Sequence, residues 1–394
     1  MKYLLARGYV ALKNRNILLQ HFLRGKETDI ITDKKYIVLS EKGKHCFFGY
    51  YDISPFSNDS MKVLNLTTDG NPHYATLNYY DIAAKRNIFI ADTHVWNWQQ
   101  GCRLRWFPGK PDTIFFNDIE HDHYCGRILD ITHKRPVKTL SRPLYDIDPT
   151  GRYGLTLNFA KLGVKRPGYG YSILPFREEE FAGNDGIDFI QISDDSAIRL
   201  VTFGELNNLL NHPKSSCKDY YINHLSFSPS GDRFLFFFLD ASTRRHESYL
   251  FVYDIKERMI IPLETHDKVS HYVWKNENEI IATVYDDNMN CGYYIYHIQE
   301  REKEKYNHLG LDGHPSLFSG DSILTDTYPD EKYFQHLYIA NKAGEEREIA
   351  RLFHNPFMAG VKRTDLHPRT NCDHSLVCTD INKTGKRQMC IFYL

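Results

Sequence analysis

Neither sign of charge prevails in this 394-residue chain: 49 Lys and Arg stand against 50 Asp and Glu, a formal net charge of −1. That balance gives no electrostatic case for binding nucleic acid or an acidic surface as a whole molecule, so any charge selectivity is local. Cysteine forms no framework. The 8 residues are scattered, without a C-x-x-C pair, which excludes a disulfide scaffold and reads as reduced thiols in a cytoplasmic protein. No long apolar run opens the chain either. Residues 1–26 carry six Lys or Arg and no acid, but Arg7, Lys13, Asn14 and Arg15 interrupt the apolar stretches, so neither a signal peptide nor a membrane span fits. What fits residues 1–35 is a basic helical extension, packed on the outside of the fold or lying on a membrane surface or a protein partner. Also missing are a G-x-S-x-G elbow, a Walker loop and a dinucleotide fingerprint, which sets aside serine hydrolases and nucleotide enzymes.

What is abundant points to strands. Aromatic residues make up 14% of the chain and hydrophobic ones 42%, with Tyr and Phe far ahead of Trp. Seven segments share one grammar: a short alternating strand, a turn with Pro, Gly, Asn or Asp, then a strongly apolar strand. The clearest is NHLSFSPSGDRFLFFF, from Asn223. The others start at Tyr50, Arg103, Leu144, His271, His314 and His367, and with His224 as the equivalent position of the first, the seven step by 53, 41, 80, 47, 43 and 53 residues. Four-stranded propeller blades have periods of about 40–50 residues. The fold class is therefore all-β, a seven-bladed β-propeller over residues 36–394. The long step marks an insertion in blade three, at about 158–220. YIVLS at 36–40 and the terminal QMCIFYL are expected to share one blade and close the ring.

Equivalent positions of successive inner strands form a ring about the propeller axis. Four of the seven are His224, His271, His314 and His367, although the chain has only 19 histidines. Imidazoles in register suit a divalent metal such as Mn, Fe, Ni or Zn, and one left unligated can act as a general base. Asp365 lies two residues before His367, on the same strand face, and adds a carboxylate. A metal-free ring that binds an anion or a sugar is the competing reading. On the opposite arc, Tyr50, Gln99, Gln100, Arg103 and Arg105 offer amides and guanidinium groups to a carboxylated sugar, with alternation placing Arg103 and Arg105 on one face. Lys165, Arg166 and Tyr169, in the insertion's KRPGYGY, form a basic, aromatic loop able to cover the funnel mouth. Asp52, Asp326, Tyr328, His121 and His123 are weaker candidates.

The units NHLSFSPSGDRFLFF, DGHPSL and DLHPRTNCDHSLVCTD resemble the histidine-bearing blades of oligogalacturonate lyases, most clearly over residues 220–394. The resemblance implies a cytoplasmic propeller that cleaves uronate oligosaccharides by β-elimination with a divalent metal such as manganese. It further implies that His224 is the base and that His271, His314 and His367 are the metal set. Where that family has a paired H-P-H-P, this chain has Asp365-Leu366-His367-Pro368.

The function expected is thus that of a lyase acting on uronate-containing oligosaccharides or polysaccharides, with Arg103 or the metal neutralising the substrate carboxylate. Two other classes compete. One is a non-catalytic glycan-binding or scaffold propeller linked to polysaccharide synthesis, which needs the imidazoles to diverge or to be plugged by neighbouring side chains. The other is a glycan hydrolase or transferase, which needs two convergent carboxylates about 5–10 Å apart.

Overall fold

Strand-forming residues follow one another in short runs that cannot bury both faces alone, and seven small sheets stacked around an axis solve that problem. A computed structural model describes residues 2–23, 29–176, 185–243, 246–383 and 385–394. Its strands form seven antiparallel sheets in consecutive order, a seven-bladed β-propeller. Blade four is the most regular, with Tyr220–Phe227, Arg233–Asp240, Glu247–Asp254 and Met259–Glu264 running from axis to rim. Gly231 takes the left-handed conformation (φ 83°) that its inner turn requires.

The core is packing of aromatic and aliphatic side chains within and between the blades. Phe234, Phe236 and Phe238 of one blade-four strand are all fully buried, and the Phe236 ring stacks on Phe251 of the next strand at 5.6 Å.

The chain ends meet in blade seven. Lys35–Leu39 pairs antiparallel with Lys386–Tyr393, with Ile37 opposite Ile391, so the first long strand closes the ring opened by the last. Just before it, Ile30–Ile31 adds a fifth strand to blade six beside Glu346–Phe353. Helix α1, Lys2–Leu23, precedes both.

The insertion does not stay in one piece. Gly186–Gln191 and Ser196–Thr202 are the two outer strands of blade three, so the extra length divides in two. One part, before Gly186, contains helix α2 (Phe159–Lys165) and the KRPGYGY loop; the other contains helix α3 (Phe203–Asn208). A span counted only between inner hairpins cannot separate these parts, because the intervening strands alternate weakly. Residues 177–184 lie outside the described residues.

Ring closure generates a test. A chain lacking residues 1–28 is expected to keep one cooperative unfolding transition. Removing residues 1–40 strips a strand from blade seven and bares the edge of Lys386–Tyr393. Its Tm should fall by roughly 10 °C, with a tendency to aggregate, and thermal melts with light scattering check this.

Candidate functional site

The inner strands run from the histidines toward the hairpin turns, so the histidines crowd one end of the axis. Local backbone aims them. Arg103 (φ 56°), His224 (φ 61°) and His367 (φ 46°), at the same position of three blades, are all left-handed. In blade four the pairing register shifts between Asn223 and Ser226, and in blade five between Val269 and Tyr272. These bulges turn the side chain out of the sheet's alternation and toward the axis.

Asp326 organises the centre. Its carboxylate accepts from the His314 backbone N–H (2.7 Å), from His314 Nδ1 (2.8 Å) and from the backbone N–H of His367 (3.1 Å). His367 Nδ1 donates to the Gly49 carbonyl at 2.8 Å. With each Nδ1 committed, the Nε2 atoms of His314 and His367 are left over, buried and without a hydrogen-bond partner among the described residues. The carboxylate of Asp365 completes a buried group of three whose ligand atoms all lie within 4.8 Å of one another. Arg363 holds that carboxylate in place (2.6–2.9 Å). Two oriented imidazoles and one carboxylate, each fixed by a second hydrogen bond, suit a divalent transition metal. The residues therefore fit such an ion.

His271 stands beside this group. Its ring centroid is 4.1 Å from that of His314. Its Nδ1 donates to Asp312 at 2.9 Å, and Asp312 in turn accepts from Ser270 (2.9 Å) and Tyr285 (2.7 Å). His271 Nε2 is thereby the acceptor atom. Next comes His224. Tyr145 and Gln100 fix the Asn223 amide by donating to its oxygen at 3.0 Å, so its NH₂ donates to His224 Nε2 at 3.2 Å. In the neutral ring the proton is then on Nδ1, which is buried and has no partner among the described residues. Both histidines line a cavity of about 70 Å³ together with Tyr50, Tyr169, Tyr328, Arg166 and Arg363.

Charge follows burial. Desolvation, reinforced by neighbouring histidines and arginines, holds His224 and His367 well below the ordinary imidazole pKa, so both are neutral. His271 is lowered too, by burial and then His314, with Asp312 opposing. His314 is the exception: burial works against its charge, but Asp326 and then Asp365 raise it.

The other sequence candidates separate. Tyr50 packs over the histidines, 4.7 Å from the His367 ring and 5.2 Å from that of His224. Tyr169 lines the cavity 6.0 Å from Tyr50, and Arg166 lies 5.4 Å over the Tyr169 ring. Gln99 and Gln100 are buried braces: Gln99 donates to the Arg363 carbonyl (3.0 Å) and Gln100 to the Tyr145 hydroxyl (2.6 Å).

Arg103 needs correction as a substrate-facing group. It is 2% exposed and all three nitrogens are used, two on Asp52 (3.1 and 2.9 Å) and Nε on the Tyr145 carbonyl (2.8 Å). Arg105 needs it too, since the left-handed turn at Arg103 breaks the alternation that placed the two together. Arg105 pairs with Asp146 and lines a groove at the opposite, hairpin-turn end. Lys165 Nζ lies 3.4 Å from Asp219. His271 stands outside the three-residue metal group, and His121 and His123 are exposed at the tip of blade two.

Asp312, Arg363, Tyr145 and Tyr51 were not found from sequence. One signal was available for Asp312: Asp312-Gly313-His314-Pro315 repeats the Asp365-Leu366-His367-Pro368 pattern one blade earlier. Gly313 is required there, because a Cβ would sit 1.9 Å from the Asp326 carbonyl oxygen.

Among solved structures the chain is similar to an oligogalacturonate lyase in complex with manganese (12% identity, TM-score 0.68, covering 92% of this chain and 94% of that one). It is also similar to the oligogalacturonate lyase of Vibrio parahaemolyticus (13%, TM-score 0.63, covering 93% and 98%). A third likeness is to the hydrazine synthase of Kuenenia stuttgartiensis (9%, TM-score 0.51, covering 89% and 98%). At these identities what is shared is the fold, a seven-bladed propeller resembling oligogalacturonate lyase. No protein-family model and no curated protein matches the sequence.

The His314–Asp326 pair gives a pH test on chelator-treated protein. A raised histidine pKa stabilises fully below the unfolded value near 6.5 and is lost as pH rises through the folded value. The stability gap between wild type and Asp326→Asn should be about 1–3 kcal/mol near pH 6 and narrow toward pH 9, as read from denaturant midpoints. A gap that widens with pH contradicts a protonated His314.

Proposed function

We propose that the protein is a metal-dependent carbohydrate lyase that cleaves a uronate-containing glycan by β-elimination at the histidine end of its axis. The observation that carries this reading is the pair of buried Nε2 atoms of His314 and His367, unpartnered among the described residues, beside Asp365 and next to His271, which lines a cavity together with Arg166 and Arg363. The fold shared with an oligogalacturonate lyase in complex with manganese supports it. His314, His367 and Asp365 would hold a divalent ion such as manganese, which supplies positive charge to the substrate carboxylate and so acidifies the adjacent C–H.

The chain's own groups divide the remaining work. Arg166 and Arg363 attract and orient the carboxylate. His271 takes the C5 proton: it is neutral, it lines the cavity, and Asp312 holds its Nδ1, so that Nε2 is the acceptor, and stabilises the imidazolium that forms. His224, with its proton on Nδ1, donates to the departing oxygen. The C5–H and C4–O bonds break and the C4–C5 double bond forms. The base role expected of His224 from sequence thus passes to His271, which was expected as a metal ligand, because the Asn223 amide occupies His224 Nε2. A cavity of about 70 Å³ is well below the size of a sugar site, so the Tyr169 loop must lift for the glycan to enter.

The test combines metal content with ultraviolet absorbance of unsaturated uronate over a panel of uronate oligosaccharides. His314→Ala should lose both. His271→Ala should keep the metal and lose about 10²–10⁴-fold in turnover, and His224→Ala should lose turnover most for poor leaving groups. Metal lost in His271→Ala would return that residue to the ligand set. No metal and no unsaturated product in wild type would favour a glycan-binding propeller.

A further inference from the structure

Helix α1 presents one side to the propeller and another to solvent. Asn14 donates to the Pro356 carbonyl (3.1 Å), and His21 stacks on Phe353 (3.5 Å) while its Nε2 meets Asp29 (2.6 Å). At 100° per residue, Asn14, Ile17 and His21 define the docked side, where all three are half-buried. The far side carries Leu12, Leu19 and Leu23, which are 68%, 55% and 75% exposed. Three leucines in one outward stripe are not explained by packing on blade six.

Charge selects the occupant. Lys13 and Arg15 flank the stripe, are exposed, and have no ion-pair partner among the described residues. The whole segment 1–26 contains no Asp or Glu. A second copy packed on this stripe would bring cation against cation, with no acid on either helix to pair with it. An anionic lipid surface supplies what both features lack, an apolar layer for the leucines and negative headgroups for the cations.

The position is equally specific. α1 rests on the connection between blades six and seven, at the histidine end of the ring. That same connection exposes Phe357 (54%) and Val361 (41%) and finishes at Arg363 on the cavity rim. Among the described residues, no helix is long and apolar enough to cross a membrane.

We propose that α1 lies flat on an anionic membrane surface through Leu12, Leu19, Leu23, Lys13 and Arg15, and turns the histidine cavity toward the bilayer. Vesicle sedimentation of the full chain tests this, using phosphatidylcholine with and without phosphatidylglycerol. Wild type is expected to sediment with the anionic vesicles only, and less as salt rises. Leu12→Asp/Leu19→Asp and Lys13→Glu/Arg15→Glu should each weaken partition by about tenfold or more, with the wild-type melting transition showing an intact propeller. Absence of sedimentation with either vesicle, or binding indifferent to both variants, overturns the proposal. So does a wild-type dimer in light scattering that Leu12→Asp/Leu19→Asp converts to monomer, which assigns the stripe to a second copy.

Discussion

The axis depends on one carboxylate. Asp326 accepts from two backbone N–H groups and one imidazole, drawn from blades six and seven, and it is 1% exposed. Water cannot substitute at such a position. Any group left unpartnered there would keep its full desolvation cost, so the geometry of both histidines is fixed by the need to satisfy Asp326 as much as by their own preferences. Thr325 and Gly313 reinforce this from the side, since the close approach of residue 313 to the Asp326 backbone leaves no room for a side chain.

From that point the site grows outward by a single rule: each imidazole has one nitrogen fixed by the protein. His314 is held by a carboxylate, His367 by a backbone carbonyl, His271 by Asp312 and His224 by the Asn223 amide. Three of these partners are acceptors and orient an Nε2 atom. The fourth is a donor and leaves a proton. Four residues of one type at one ring position therefore acquire different chemistry from what stands behind them. The tyrosines of blade one complete the packing, with Tyr50 over His224 and His367 and Tyr51 beside His314, 5.3 Å between rings.

The fold was legible because propeller blades repeat. Hairpin grammar, period and the two terminal strands are local or periodic properties, and each blade's hydrophobic alternation must be written in its own sequence. The histidine ring was legible for the same reason, as register is preserved from blade to blade. Arg103 and Arg105 show where that logic stopped. Alternation places them on one face, but a single left-handed residue at Arg103 moves Arg105 toward the other end of the ring. The outer strands of blade three were hidden inside an apparent insertion because the segments around them, α2 and α3, carry the sequence out of period.

By itself, the sequence determined the number of blades, the closure of the ring and the four histidines that face its axis, since each of these follows from patterns that recur within one blade length. Only the tertiary structure decided which of those histidines converge with Asp365, which one Asp312 orients and which one keeps a proton. The reason is physical: an imidazole's role is set by the partner on its other nitrogen, and these partners come from residues as close as Asn223 and as distant as Gly49, 318 positions from His367. No local pattern encodes a contact of that span.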